Sequence, residues 1–124
     1  MKRNWNTIEI VLTHVEIGDL QSYAIQRRYL QSKITEEEFI GHVEILQDAG
    51  IIRNCFVSRD ARGDFSTFDF HGAFIAMAGH DLLDALRDSS VWGRIKEKAG
   101  LANVSISWEF VKAAIPAVMK ELAA

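Results

Sequence analysis

The sequence predicts a mainly helical α+β fold, formed by 124 residues as one continuous domain. Three observations lead there. In most segments apolar residues recur every three or four positions, the period of a helix buried along one side. One segment, residues 51–70, alternates instead and is interrupted by the turn sequence Arg59-Asp60-Ala61-Arg62-Gly63-Asp64, which makes it a β-hairpin. Finally, a single proline and the lack of any Ser/Gly-rich or low-complexity run leave no place for a linker.

The elements follow in order. Trp5, Ile8, Leu12 and Val15 form one stripe, predicting a helix over 4–17 that Gly18 ends. Residues 19–33 carry enough apolar positions (Leu20, Tyr23, Ala24, Tyr29, Leu30) for a short helix. Residues 35–49 are the clearest case. Thr35 is a good N-cap, and Glu38 stands where a capping box would send its carboxylate back to the Thr35 amide. Phe39, Val43, Leu46 and Ala49 then form the buried side, Glu37, Gly41, Glu44 and Asp48 the wet side, and Gly50 the left-handed stop. A strand over 51–58 and a return strand over 65–70 build the hairpin. Helices are predicted at 76–89, at 91–99 with Gly100 as its stop, and at 107–123 with Ser107 as its cap. Pro116 falls inside the last of these and predicts a kink or break, because it cannot donate to the carbonyl of Lys112.

Helices followed by a capped helix ending Leu-Gln-Asp-Ala-Gly and a hairpin with a charged tip resemble a winged-helix core. That core is expected over 1–74, with 75–124 as a C-terminal helical extension. The stretch Gly79–Trp92, read with the basic turn after it, is similar to the signature of an uncharacterised family of bacterial and phage proteins, known as a domain of unknown function. Gly79, His80, Asp81, Leu83, Asp84, Arg87, Asp88, Val91 and Trp92 carry the resemblance. Where the family has threonine and tryptophan ahead of the glycine, this chain has Ala76 and Met77, so the threonine helix cap is missing. The resemblance implies a phage or prophage association. It brings no activity with it.

Composition narrows the function classes. With 48% apolar and 25% charged residues the chain has the makeup of a soluble globular protein. A net charge of −3 provides no general attraction to nucleic acid or anionic lipid. Cys55 is the single cysteine, which excludes an internal disulfide and a cysteine-rich zinc site. Polar residues interrupt positions 1–17 too often for a signal peptide, and no run is long enough to span a membrane, so a cytoplasmic protein is expected.

The candidate residues sort by chemistry. Winged helices commonly dock their third helix into the major groove, but residues 34–52 contain no lysine or arginine, and an acidic helix repels phosphate. DNA contact is therefore disfavoured through that helix and would fall to Arg27, Arg28, Arg59 and Arg62. Glu37, Glu44, Asp48, Asp84, Asp88 and Trp92 are the candidates for binding a protein partner. His80 and Asp84 have metal-chelating spacing, yet two ligands on a wet face are too few, and a solvated helix face accounts for the cluster. Gly79 lies on the apolar side of its helix, where glycine costs about 1 kcal/mol against alanine and implies close approach of another backbone. Gly79, His80 and Trp108 are assigned structural roles, and His42 a place in the core as a hydrogen-bonded residue. With no Walker loop, dinucleotide fingerprint or nucleophile elbow, no cofactor and no catalytic or metal residues are expected. The first reading is a non-enzymatic regulatory protein that binds another protein; the alternative is a DNA-binding regulator using its basic wing. The Val111/Ile115/Val118/Leu122 stripe suits a homodimer seam and intrachain packing equally well.

Overall fold

The computed structural model describes residues 3–26 and 34–123. The mainly helical α+β class holds. The elements are α1 (Trp5–Ile17), α2 (Leu20–Gln26), α3 (Glu36–Asp48), β1 (Ile52–Arg53), β2 (Phe56–Arg59), β3 (Phe65–Asp69), β4 (Phe74–Ile75), α4 (Met77–Arg87), α5 (Ser89–Ala102) and α6 (Trp108–Ala123). The chain forms two compact units, Met1–Gly79 and His80–Ala124, with the boundary inside α4.

In the first unit α1 packs on α3. Asn4 caps α1, its side chain accepting from the Asn6 and Thr7 amides, and Gly18 closes it at φ 90°. Ile8, Val11, Leu12 and Val15 meet Phe39, Ile40, Val43 and Leu46, all buried. Each such side chain contributes about 1.5–3 kcal/mol by leaving water. Two positions of α3 depart from the expected faces: Gly41 is buried and Ala49 is exposed. Thr35 caps α3 by accepting from the Glu38 amide at 3.1 Å, but the capping box stays half-made. The Glu38 carboxylate turns instead to Thr7 Oγ1 and Asn4 Nδ2, each 3.4 Å away, and so ties α3 to the start of α1. His42 completes that tie. It is fully buried, with Nδ1 donating to the Glu38 carbonyl at 2.7 Å and Nε2 accepting from the Asn4 amide at 2.8 Å.

The hairpin is longer and more broken than its alternation suggests. Gly50, at φ 76°, turns the chain out of α3. Ile52 and Arg53 then pair antiparallel with Ile75 and Phe74, so the expected 51–58 strand contributes first to an inner pair, β1–β4. Asn54 adopts φ 65° and interrupts the ladder; β2 starts at Phe56 and pairs with β3 out to a bulge between Ser58 and Arg59. β4 escaped the sequence reading because two residues show no alternation.

Two glutamines finish what the broken ladder leaves open. Gln47 of α3 pairs with the peptide of Cys55 as a strand would, accepting from its N–H and donating to its C=O, both at 2.6 Å. Gln21 of α2 accepts from the Phe70 amide at 2.7 Å. Cys55 itself is buried, which pushes its thiol up to about 11.

In the second unit, Asp88 caps α5 by accepting from the amides of Ser90 and Val91. Gly100 does not stop α5. The helix runs to Ala102 and closes at Asn103, φ 53°, with the Val104 amide reaching back to the Ala99 carbonyl at 3.1 Å. Asn tolerates the left-handed conformation, and Gly100 has no need to adopt it. Ser107 accepts from the Phe110 amide and starts α6, which continues through Pro116 without the break that proline predicts. Lys112 and Pro116 are both exposed, so water can satisfy the carbonyl that proline leaves unpaired. Val91, Ile95 and Ala99 pack toward Val111, Ala114 and Val118. Glu121 bridges Lys98 at 2.6 Å and Arg94 at 3.1 Å across the helix pair.

Candidate functional site

One arginine ties the turn end of the β2–β3 hairpin to α3. Arg59 Nε donates to both carboxylate oxygens of Glu44 at 3.1 Å, and Nη2 also reaches that carboxylate. Nη1 donates to Glu37 Oε1 at 2.8 Å and to the Gly63 carbonyl at 2.7 Å. The fork geometry of guanidinium suits such bidentate contact. The hydrogen bonds that Arg59 donates to Glu44, then to Glu37, raise its pKa above its already high ordinary value. Arg59 therefore holds the hairpin tip against the acidic side of α3, and its charge is neutralised within the chain.

This arrangement unites residues that the sequence reading placed in opposite camps. Arg59 was a candidate for phosphate; Glu37 and Glu44 were candidates for a protein partner. Their alternating spacing on separate elements offers no local signal of pairing, which only the fold brings about. Arg62 stays exposed at the hairpin tip, where Asp60 accepts from its backbone amide at 2.8 Å. Asp48 is exposed near the C-terminal end of α3. Arg27 and Arg28 lie outside the described residues. Beside the clamp runs a groove of about 390 Å³, lined by Val43, Glu44 and Gln47 of α3 and by Phe56 and Val57 of β2. Phe56 stands 65% exposed at its rim.

Within α4 the buried and wet sides fall as the helical period predicts. Gly79, Leu82, Leu83 and Leu86 are buried, while Asp81, Asp84, Arg87 and His80 are exposed. Gly79 is placed by contact: a Cβ there would lie 2.4 Å from the Ile51 carbonyl oxygen and 2.6 Å from Ile75 Cγ2. The Ala76 amide, at the position where a threonine cap was missing, donates to that same Ile51 carbonyl at 2.9 Å. Asp88 is a helix cap as well as a surface carboxylate, and Trp92 and Trp108 are half-buried. Among the described residues, no three His, Cys, Asp or Glu side chains are grouped to hold a metal ion. No helix there is long and apolar enough to cross a membrane.

The profile of the family described as hypothetical protein (DUF2513) matches residues 2–105. The chain belongs to the DUF2513 family. This agrees with the resemblance carried by Gly79–Trp92. An uncharacterized protein of Haemophilus influenzae (strain ATCC 51907 / DSM 11121 / KW20 / Rd) is 24% identical to the DUF2513 chain over an alignment of 132 residues that covers the whole of both chains. No solved structure matches the chain. Family membership leaves the activity of the DUF2513 chain to be argued from its surfaces.

Proposed function

We propose that this DUF2513 chain is a non-enzymatic, cytoplasmic interaction protein with a winged-helix-like core, and that it acts by binding another protein. The observation that carries the reading is the Arg59 clamp. It neutralises a wing cation on Glu44 and Glu37, so the α3–wing face stays acidic, with Asp48 beside it and Phe56 exposed at the groove rim. A phosphate backbone is repelled by such a face, whereas a basic, partly apolar protein surface complements it. The resemblance to bacterial and phage proteins is what supports a phage or prophage association.

Labelled duplex DNA tests the reading directly, by anisotropy at low ionic strength. The wild-type chain is expected to leave the duplex free. Glu37→Gln/Glu44→Gln releases Arg59 and is expected to gain weak, salt-sensitive DNA affinity. Tight binding by the wild type that disappears in Arg59→Ala/Arg62→Ala would replace this proposal with a wing-led DNA regulator.

A further inference from the structure

A second groove lies wholly within the C-terminal unit. It measures about 310 Å³ and is lined by Asp81, Asp84 and Asp88 along one side and by Val91, Ile115 and Met119 along its floor. Its size is at the low end for a small-molecule site and suits an inserted side chain better than a cofactor. Three carboxylates and no basic residue line it. Asp88 is engaged in capping α5, but among the described residues no protein donor meets the carboxylates of Asp81 and Asp84.

The floor is equally uncovered. α6 buries Val111, Ala114 and Val118, yet its apolar arc is wider than its neighbours cover, and Met119 (54%) and Leu122 (52%) remain exposed beside the half-buried Ile115. Ile115, Met119 and Leu122 follow the i, i+4, i+7 spacing of a helical stripe. Alongside it, Asp81 to Asp88 extend about 10 Å, near two turns of helix.

We propose that this groove binds a basic amphipathic helix of a partner protein. The partner's apolar side chains would sit on Ile115 and Met119, and its lysines or arginines on Asp81 and Asp84. The argument is charge complementarity around an apolar floor, the combination by which helix-in-groove recognition sets register and orientation. A second copy of this chain fits poorly, because carboxylates would face carboxylates across the seam. The inference rests on the protein-binding reading above and adds to it a second surface, one shaped for a helix.

The probe is a labelled amphipathic peptide of leucine and lysine, with a leucine–glutamate version as its control, titrated with the full chain and followed by anisotropy. Binding of the lysine peptide only is expected, weakened about tenfold or more by Asp81→Asn/Asp84→Asn and by Met119→Glu. Asp64→Asn/Glu109→Gln, which removes the same charge elsewhere, should change it less than twofold, and Asp48→Asn is measured beside it. Thermal melts of the variants establish that they remain folded, as expected for exposed positions. No binding, equal binding of both peptides, or no effect of Met119→Glu overturns the groove. So does sedimentation showing that Met119 mediates self-association. Binding lost through Asp48 rather than Asp81 and Asp84 overturns the groove while leaving a protein-binding α3 face intact; DNA binding in the earlier experiment overturns the reading beneath both.

Discussion

At the scale of single residues, space and hydrogen bonding decide which positions are irreplaceable. A Cβ at Gly79 would meet a backbone carbonyl and a β-branched side chain, neither free to swing away. Gly79→Ala is therefore expected to destabilise by about 2–3 kcal/mol in urea unfolding, the range for overpacking a filled site. Gly93 and Gly100, also helical, have nothing within 4 Å of the corresponding position. Alanine at either should stabilise by about 0.5–1 kcal/mol through helix propensity alone. The same sequence symbol thus carries opposite predictions. His42→Leu takes away the acceptor of the Asn4 amide at the start of α1 and should cost about 1 kcal/mol.

At the scale of elements, the contacts that matter run between segments distant in sequence. Gln47 is the clearest, since it completes the Cys55 peptide from another element. Gln47→Ala leaves both a donor and an acceptor unpaired and is expected to cost about 2–3 kcal/mol. Gln47→Glu keeps the acceptor for the Cys55 N–H and loses the donor, so its loss should be intermediate only above the carboxylate's titration range. Nothing around Gln47 in the sequence announces this: it falls between the buried and wet stripes of α3, where glutamine is an unremarked helix former. The helices themselves were legible because period, caps and stops agree within one segment, as at Thr35 and Gly50. The strand β4 and its pairing with β1 were not, because a two-residue pairing depends on where Asn54 and Gly72 bend the chain. For the candidate site, the sequence displayed the acidic and apolar residues separately; Asp81 and Met119 become neighbours only through the packing of α4 and α6.

For the molecule as a whole, the perturbed groups frame a pH range of greatest stability. Burial raises the Cys55 thiol to about 11 from an ordinary value near 9, so its contribution is complete below pH 9 and is lost as pH rises toward 11. On the acid side, Lys98 and then Arg94 lower the Glu121 pKa, and the backbone amide and ring of His71 lower that of Asp69. Those contributions are present above the ordinary carboxylate values, near 4.5 and 3.8, and fade as pH falls through the lowered ones. A plot of Tm against pH is expected to be flat between about 5 and 9 and to fall on both sides. Cys55→Ala should remove much of the alkaline decline, and Glu121→Gln should soften the acid one. High salt should soften the acid decline too, since the ion pairs of Glu121 are solvent-exposed and screened.

The two glutamines also impose an order in time. An isolated two-stranded hairpin is marginal in water, and β2–β3 depends at its base on side chains from α3 and α2. Those amides arrive at Cys55 and Phe70 only after the helices have docked. The hairpin is therefore expected to assemble late in folding, on a helical platform already in place. In kinetic terms, Gln47→Ala should accelerate unfolding and leave the folding rate nearly unchanged, the behaviour of a contact absent from the transition state.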